Sequence, residues 1–226
     1  MKNFGQKWKV LLKDKRYILL FILGVLFLLF AEYLLVVITT YKDGFTNFPS
    51  VGDLILDHIS VRDWMPLYLY GPFLALLITL FYLIFFRPDL FPFALFTFAL
   101  IDLFRAFTIS LTDIAPPADI IYLQKPELID ASLKYLFILK YLFMKSDLFF
   151  SGHVSHVLLS FFLFKEFKIR WFMLVWSFVM GATVLVMHVH YSIDVFAAFF
   201  ITYGVYKIAE KIYSKVNKSF LQKISS

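Results

Sequence analysis

The feature of this sequence that most constrains its fold is a series of apolar runs, several of them close to the roughly 20 residues that a helix needs to cross a bilayer. Hydrophobic residues make up 61% of the 226-residue chain, whereas a soluble globular domain has roughly 45–50%. Because hydrocarbon offers no water to an open sheet edge, every crossing must be helical. The sequence therefore predicts an all-α, polytopic membrane protein.

Six transmembrane helices are predicted, in a single membrane domain. A basic tail (1–16) precedes the bundle (17–208), and a second basic tail (209–226) follows it. The predicted spans are residues 17–41, 67–86, 91–111, 149–164, 171–187 and 191–208.

The distribution of lysine and arginine predicts how the bundle is oriented. Basic residues accumulate in cytoplasmic loops, and here they concentrate in both tails and in the turns after spans two and four. Both termini are therefore expected in the cytoplasm. The formal net charge of +6 is explained by this topology, and it does not indicate a nucleic-acid partner.

The same topology groups polar residues that are distant in sequence. His153 opens span four and His190 precedes span six, while Arg105, Thr108 and Thr112 lie at the end of span three. We expect all of them at the exoplasmic face, either periplasmic or lumenal, of a bacterial inner membrane or a secretory-pathway membrane.

The first histidine motif is the run Asp147-Leu-Phe-Phe-Ser-Gly-His153, at a loop-to-helix transition. Ser151 is expected to cap the helix, Gly152 to let the backbone approach a ligand, and the free amides of the helix start to attract phosphate. The alternative is a structural capping turn with an interfacial histidine.

The second motif is His188-Val-His190-Tyr-Ser-Ile-Asp194. A spacing of four places His190 and Asp194 on one helical face, where the carboxylate accepts the proton of one ring nitrogen and leaves the other more basic. Such a pair makes a nucleophile or a base. A structural hydrogen-bonded pair is the alternative, although an Asp in a span costs about 2.5–3.5 kcal/mol.

Arg105 lies in the outer half of an apolar helix, where an arginine is costly unless it meets a negative charge. Phosphate is a natural bidentate partner for its guanidinium group. Asp102, one turn away, or Glu32 in span one could pair with it instead.

Neither a cofactor nor a metal is indicated by the sequence. The chain has no cysteine, which excludes disulfides, thiolate metal sites and cysteine nucleophiles. His156 and His188 lie near the two motifs, but no spacing singles out three zinc ligands. His58 is expected to be a loop or interfacial residue without a catalytic role.

Together, these motifs resemble the sphingomyelin synthase family, a branch of the lipid phosphate phosphatase superfamily. The likeness is carried by the two histidine motifs and by Arg105-Ala-Phe-Thr-Ile-Ser-Leu-Thr112, which precedes Pro116-Pro117. A looser likeness covers residues 48–57. Against that family's usual pattern, Lys145-Ser146 replaces Cys-Gly and Val154 replaces a threonine, so head-group and acceptor choice stay open.

The resemblance implies a six-helix bundle with an exoplasmic His-His-Asp triad of His153, His190 and Asp194. His190, supported by Asp194, would attack the phosphorus of a donor phospholipid and form a phosphohistidine, while His153 would protonate the departing oxygen and later deprotonate an acceptor hydroxyl. The substrate-binding residues it implies are Arg105, Thr108, Thr112, Asp147, Ser151, Gly152 and Tyr191.

Three functions are compatible with these residues. The favoured one is a lipid head-group phosphotransferase that moves phosphocholine or phosphoethanolamine from a glycerophospholipid to a ceramide-like alcohol or diacylglycerol. A lipid phosphate phosphatase or phospholipase C-like hydrolase would use water instead. The third is a non-catalytic lipid-binding or transport protein, and a homo-oligomer is compatible with all three.

In the lipid phosphate phosphatases of the wider superfamily, the resemblance implies an arginine six residues before the second histidine. Here that position is Val184. A site without this positive charge suits a phosphodiester, because a phosphodiester carries less negative charge than a phosphate monoester. This difference favours the transferase.

Overall fold

The computed structural model describes residues 4–44, 48–120 and 147–217, and the regular structure of this part of the chain is helical. Its α-helices are α1 (Phe4–Leu11), α2 (Lys15–Asp43), α3 (Met65–Phe85), α4 (Phe91–Leu111), α5 (Gly152–Leu163), α6 (Phe167–Val186) and α7 (Ser192–Val216). Short 3-10 turns at Leu56–His58 and Pro88–Leu90 precede α3 and α4.

Five of these helices, α2, α3, α4, α6 and α7, are long and apolar enough to cross a membrane. The prediction of an all-α, multi-pass membrane protein is thereby confirmed. The helix at the predicted fourth span, α5, has only 12 residues, which corresponds to a length of about 18 Å. It begins later and ends earlier than the apolar run 149–164, because Ser151 and Phe164 both have extended backbone.

The predicted tails differ in part from the observed ends. Within the tail 1–16, residues Phe4–Leu11 form α1, and α2 already begins at Lys15 behind an Asp14 side chain that accepts the Arg16 and Tyr17 amides. At the other end, α7 runs past residue 208 to Val216. Both helices extend beyond the apolar part of the sequence, so the limits predicted from hydrophobicity alone were too narrow.

The helices alternate in direction, and contacts between their ends define two opposite ends of the bundle. At one end, α1 docks on the end of α3, where the Trp8 indole donates to the Ile84 carbonyl at 3.1 Å. Tyr17 at the start of α2 donates to Pro88 before α4 at 2.7 Å. Arg16 contacts the carbonyl of Val216 at the end of α7.

The other end, called here the histidine end, holds the finish of α2 and α4 and the start of α3, α5 and α7. Lys42 at the finish of α2 donates to the Ile109 carbonyl near the finish of α4 at 2.6 Å. Besides Arg105 within α4, the lysine and arginine residues described at this end are Lys42 near the finish of α2 and Arg62 in the loop before α3, whereas the opposite end carries the basic residues of α1, the turns and α7. The helix ends are therefore sorted by charge along the bundle.

Candidate active site at the histidine end

His190 and Asp194 are paired, as the spacing predicts. His190 lies just before α7, which begins at Ser192, so the two residues do not share a regular helical face. The pair forms nevertheless, with 3.3 Å between His190 Nδ1 and Asp194 Oδ2, and both side chains are buried. The Tyr191 amide donates to the same carboxylate oxygen at 3.1 Å. Since Nδ1 faces the carboxylate, Nε2 is the ring nitrogen left for chemistry.

His153 is brought to this pair by a contact between the starts of α5 and α7. The Ser151 amide donates to the Asp194 carbonyl at 3.2 Å. His153 follows Ser151 by two residues, and His190 precedes Asp194 by four, so this contact brings the two histidine motifs together. His153 stacks on Tyr68 of α3, with 4.3 Å between ring centroids and 19° between ring planes. Its Nε2 is buried, and no described residue forms a hydrogen bond with it.

Arg105 is held by acidic and backbone partners. Its guanidinium group donates to both carboxylate oxygens of Asp147, at 2.5 and 2.6 Å, and to the Phe150 carbonyl at 3.4 Å. Asp102 Oδ1 lies 3.6 Å from the same group. The pairing with Asp102 that sequence left open is therefore present, and Asp147 is the closer partner. A phosphate group would have to compete with these carboxylates.

Gly152 is the point where this guanidinium group approaches the backbone. A Cβ at position 152 would lie 2.5 Å from Arg105 Cζ and 2.7 Å from each terminal nitrogen. The close approach expected at Gly152 is thus made by an arginine side chain. This contact fixes α4 against the start of α5 and places a positive charge one residue from His153.

Of the other residues predicted to bind substrate, Thr108 and Thr112 have structural hydrogen-bond partners, whereas the Ser151 hydroxyl does not. Thr108 donates to the Phe149 carbonyl at 2.9 Å and to its own helix, and Thr112 donates to the Thr108 carbonyl at 3.0 Å. Ser151 occupies the N-cap position, but its side chain forms no capping hydrogen bond, and its buried Oγ meets no described partner. The predicted cap position is therefore correct, while the capping hydrogen bond from the first-turn amides to the Ser151 hydroxyl is not made.

Two loops cover the start of α7. The Tyr191 hydroxyl donates to the Ala115 carbonyl at 2.8 Å and accepts from the Val51 amide at 3.3 Å. Asp53 accepts from the Ser192 amide at 2.6 Å. Burial raises the pKa of the Asp53 carboxyl, but the backbone donors, with Ser192 first, outweigh that effect and hold the pKa below its ordinary value. Tyr191 thus supports the site from its loop side.

A cavity of about 430 Å³ runs between α2, α3, α4 and α5. At the histidine end its wall includes Gly152, His153, Arg105 and Asp147, and deeper in the bundle it becomes apolar. Its apolar lower wall suits a lipid chain. Because α2 packs mainly on α4, the cavity lies beside the gap between α2 and α3.

Sequence reasoning missed one polar group on the cavity wall. His156 Nε2 lies 2.9 Å from Asp102 Oδ1, and Glu32 lies beside Asp102. His156 was set aside because no zinc spacing included it. A signal was available, since His153 and His156 are three residues apart and share a helical face with each other.

The other histidines lie apart from this group. His188 Nδ1 lies 2.8 Å from Asp119, and His58 Nδ1 lies 2.7 Å from the Leu54 carbonyl in an exposed turn. Within residues 4–44, 48–120 and 147–217, no group of three or more His, Asp or Glu side chains is arranged to hold a metal ion.

Comparison with known proteins gives one family match. Residues 146–212 match the family model described as PAP2 superfamily C-terminal, which covers less than a third of the chain. The matched region contains His153, His190 and Asp194 but not Arg105. That family includes sphingomyelin synthase-like proteins, and its members are generally enzymes of lipid phosphates. No curated protein matches the chain. The match indicates a lipid phosphate-related activity.

Proposed function

We propose that this protein is a lipid head-group phosphotransferase, which moves phosphocholine or phosphoethanolamine from a glycerophospholipid to a lipid alcohol. The observation that carries the proposal is the hydrogen bond from the Ser151 amide to the Asp194 carbonyl. It joins the start of α5, which carries His153, to the start of α7, which follows the carboxylate-paired His190, and so supports a site that uses both histidines.

In the first step, His190 Nε2 attacks the phosphorus of the donor and a P–N bond forms. The bond from phosphorus to the diacylglycerol oxygen breaks, and protonated His153 gives its proton to that oxygen. Asp194 fixes the tautomer of His190, because Nδ1 must carry a hydrogen to donate to Oδ2. It also stabilises the positive charge that develops on the ring.

In the second step, the acceptor hydroxyl gives its proton to His153 and attacks the same phosphorus. The P–N bond breaks, His190 returns to its neutral form, and His153 is protonated again. One histidine is thus acid and then base, and the other is the nucleophile. Over the two steps, transfer of the head group between two hydroxyl groups needs no net proton from solvent.

Local charge favours a diester substrate over a phosphate monoester. Val184, at the position where the related phosphatases have an arginine, is fully buried in an apolar cluster with Tyr68 and Met65. Arg105, the positive charge beside His153, is already paired with Asp147. Among the described residues beside His153, a monoester dianion would find only this shared cation, whereas a diester carries a single negative charge and needs less compensation.

The bundle geometry also supports a membrane orientation. We propose that α5, although short, completes a sixth crossing, so that both termini lie in the cytoplasm and the histidine end faces the exoplasmic side. The basic residues at the opposite end of the bundle support this orientation. Donor and acceptor would then enter from the outer leaflet through the gap between α2 and α3.

Product analysis tests the proposed function. The purified chain is incubated in liposomes with head-group-labelled phosphatidylcholine or phosphatidylethanolamine, with and without ceramide or diacylglycerol. Label in a new lipid that depends on the acceptor supports transfer. Free phosphocholine or phosphoethanolamine identifies hydrolysis. In a parallel incubation with phosphatidic acid, release of phosphate from that lipid alone identifies a phosphatase. Unchanged lipid turnover in His190→Ala would support the non-catalytic alternative.

A further inference from the structure

His156 lies on the cavity wall, one helical turn after His153, and contacts a buried carboxylate of α4. His156 Nε2 is 2.9 Å from Asp102 Oδ1. The side chain of His156 is 32% exposed, whereas that of Asp102 is 1% exposed. The other oxygen of Asp102, Oδ2, receives no hydrogen bond from any described donor. His156 therefore supplies a hydrogen bond to a carboxylate that is closed off from water.

The same carboxylate oxygen connects His156 to Arg105. Asp102 Oδ1 is 3.6 Å from Arg105 Nη1, and the guanidinium group of Arg105 also donates to both oxygens of Asp147. Arg105 is thus a cation between two carboxylates, and it rests on Gly152 at the start of α5. Because charges in a buried site are little screened by solvent, a change of charge on His156 is felt at Arg105 through Asp102.

The charge of this group decides whether an anion can bind beside Arg105. When His156 is neutral, one guanidinium group faces the carboxylates of Asp102 and Asp147, and the local charge is negative. A phosphodiester anion is repelled by such a group. An imidazolium at position 156 offsets the charge of Asp102 from the side of α5, so that Arg105 can donate to a phosphate instead.

The other described residues of the cavity wall increase the need for this cation. Helices α6 and α7 contribute no residue to the described wall, and the residues that α3 contributes carry no charge. The charged or titratable side chains of the described wall, besides His156, are Glu32, Asp102, Arg105, Asp147 and His153. Even when His153 carries its catalytic proton, these three carboxyl groups outnumber the two cations. A charged His156 restores the balance.

The geometry points to His156, in its imidazolium form, as a positioning residue for the donor phosphate: it holds Asp102 and so lets Arg105 turn from its carboxylates to the phosphodiester. The inference rests on the proposed function, and it adds that the donor binds best when His156 carries a proton. Donor and proton then strengthen each other's binding by the same factor. We expect a factor of about tenfold, because a nearby charge typically changes the affinity for a proton by that much or more.

The pH dependence of donor binding tests this role. Fluorescent phosphatidylcholine is titrated into the detergent-solubilised full chain carrying His190→Ala, so that turnover is not needed. Binding is measured at about pH 5.5 and about pH 9, on either side of the range in which imidazoles titrate. The charge of phosphatidylcholine is constant over this range, because its phosphodiester stays ionised and choline has no proton to lose. We expect about tenfold tighter binding at the lower pH.

Two substitutions of His156 have opposite expected effects. His156→Gln is neutral at both pH values and should bind weakly at both, whereas His156→Lys is charged at both and should bind tightly at both. Lysine would not rescue a histidine whose role is only structural. His58→Gln is the matched control, since it removes a histidine in an exposed turn that does not line the cavity. Its pH dependence should equal that of the parent.

Equal binding at the two pH values overturns the inference. So does an undiminished pH dependence in His156→Gln, because the dependence would then belong to His153 or another group. Weak binding by a His156→Lys protein that unfolds at the parent's temperature also contradicts it. Failure of the proposed function is recognised separately: wild-type protein would then bind phosphatidylcholine with this pH dependence and transfer no head group.

Discussion

The contact between Gly152 and Arg105 gives a prediction with a steric magnitude. An alanine Cβ at position 152 would lie 2.5 Å from Arg105 Cζ, whereas ordinary van der Waals contact begins at 3.4 Å. The guanidinium group must therefore retreat by close to 1 Å. Its two hydrogen bonds to Asp147, at 2.5 and 2.6 Å, fix it on the other side, so retreat weakens the bidentate pair.

The expected cost follows from those hydrogen bonds. A hydrogen bond to a charged group contributes about 1.5–3 kcal/mol, so Gly152→Ala should lower the free energy of unfolding by about 2 kcal/mol. Activity should fall by roughly 100-fold, because a displacement of about 1 Å near reacting groups has an effect of that order. Thermal unfolding in detergent and head-group transfer in liposomes measure the two effects.

Gly204→Ala is the control for this variant. Gly204 lies inside α7 and would have nothing within 4 Å of an added Cβ, so alanine should stabilise its helix by about 0.5–1 kcal/mol. A Gly152→Ala protein as stable and as active as the Gly204→Ala protein would refute the steric argument.

Three further predictions concern other parts of the molecule. Asp53→Asn should lower the free energy of unfolding by about 2 kcal/mol at neutral pH, because the hydrogen bond from the Ser192 amide becomes weaker. Since the pKa of Asp53 is lowered in the folded protein, the full loss is expected above pH about 4, and the difference should disappear as acid protonates the carboxyl group. Denaturation at several pH values measures this dependence. The chain has no cysteine, so an impermeant maleimide added outside intact cells should label Arg62→Cys and spare Lys9→Cys, and the reverse pattern would contradict the proposed orientation. Tyr68→Leu should remove the ring stacked on His153 and slow transfer about tenfold with little change in expression, whereas unchanged kinetics would show that this stacking has no positioning role.

Most of the helical architecture could be predicted from sequence, because long apolar runs leave few alternatives in a bilayer. The pairing of His190 with Asp194 was also predictable, since a spacing of four brings side chains together even where the first residue precedes the helix. Ser151 takes the predicted N-cap position, but its hydroxyl makes no capping hydrogen bond. A capping pattern predicts where a helix begins, and it does not show whether the side chain accepts from the amides of the first turn.

The lateral arrangement of the helices could not be predicted from the sequence. The guanidinium group of Arg105 rests on Gly152 only because α4 and α5 meet at that height, and no local pattern encodes the meeting. For the same reason, Asp102 was considered only as a possible partner of Arg105 and His156 was set aside, although His156 Nε2 lies 2.9 Å from Asp102 Oδ1. Side chains from different helices become a site only once packing fixes their heights and facing directions.

The central claim is that His190 carries the head group between donor and acceptor. Its most direct measurement is mass spectrometry of the chain after incubation with donor phospholipid in the absence of acceptor, under alkaline conditions that preserve a P–N bond. The account predicts one added phospho-head group on the peptide containing His190, lost when acceptor is supplied and absent in His190→Ala. Normal transfer by His190→Ala, or an adduct on His153 or His156 instead, would contradict it.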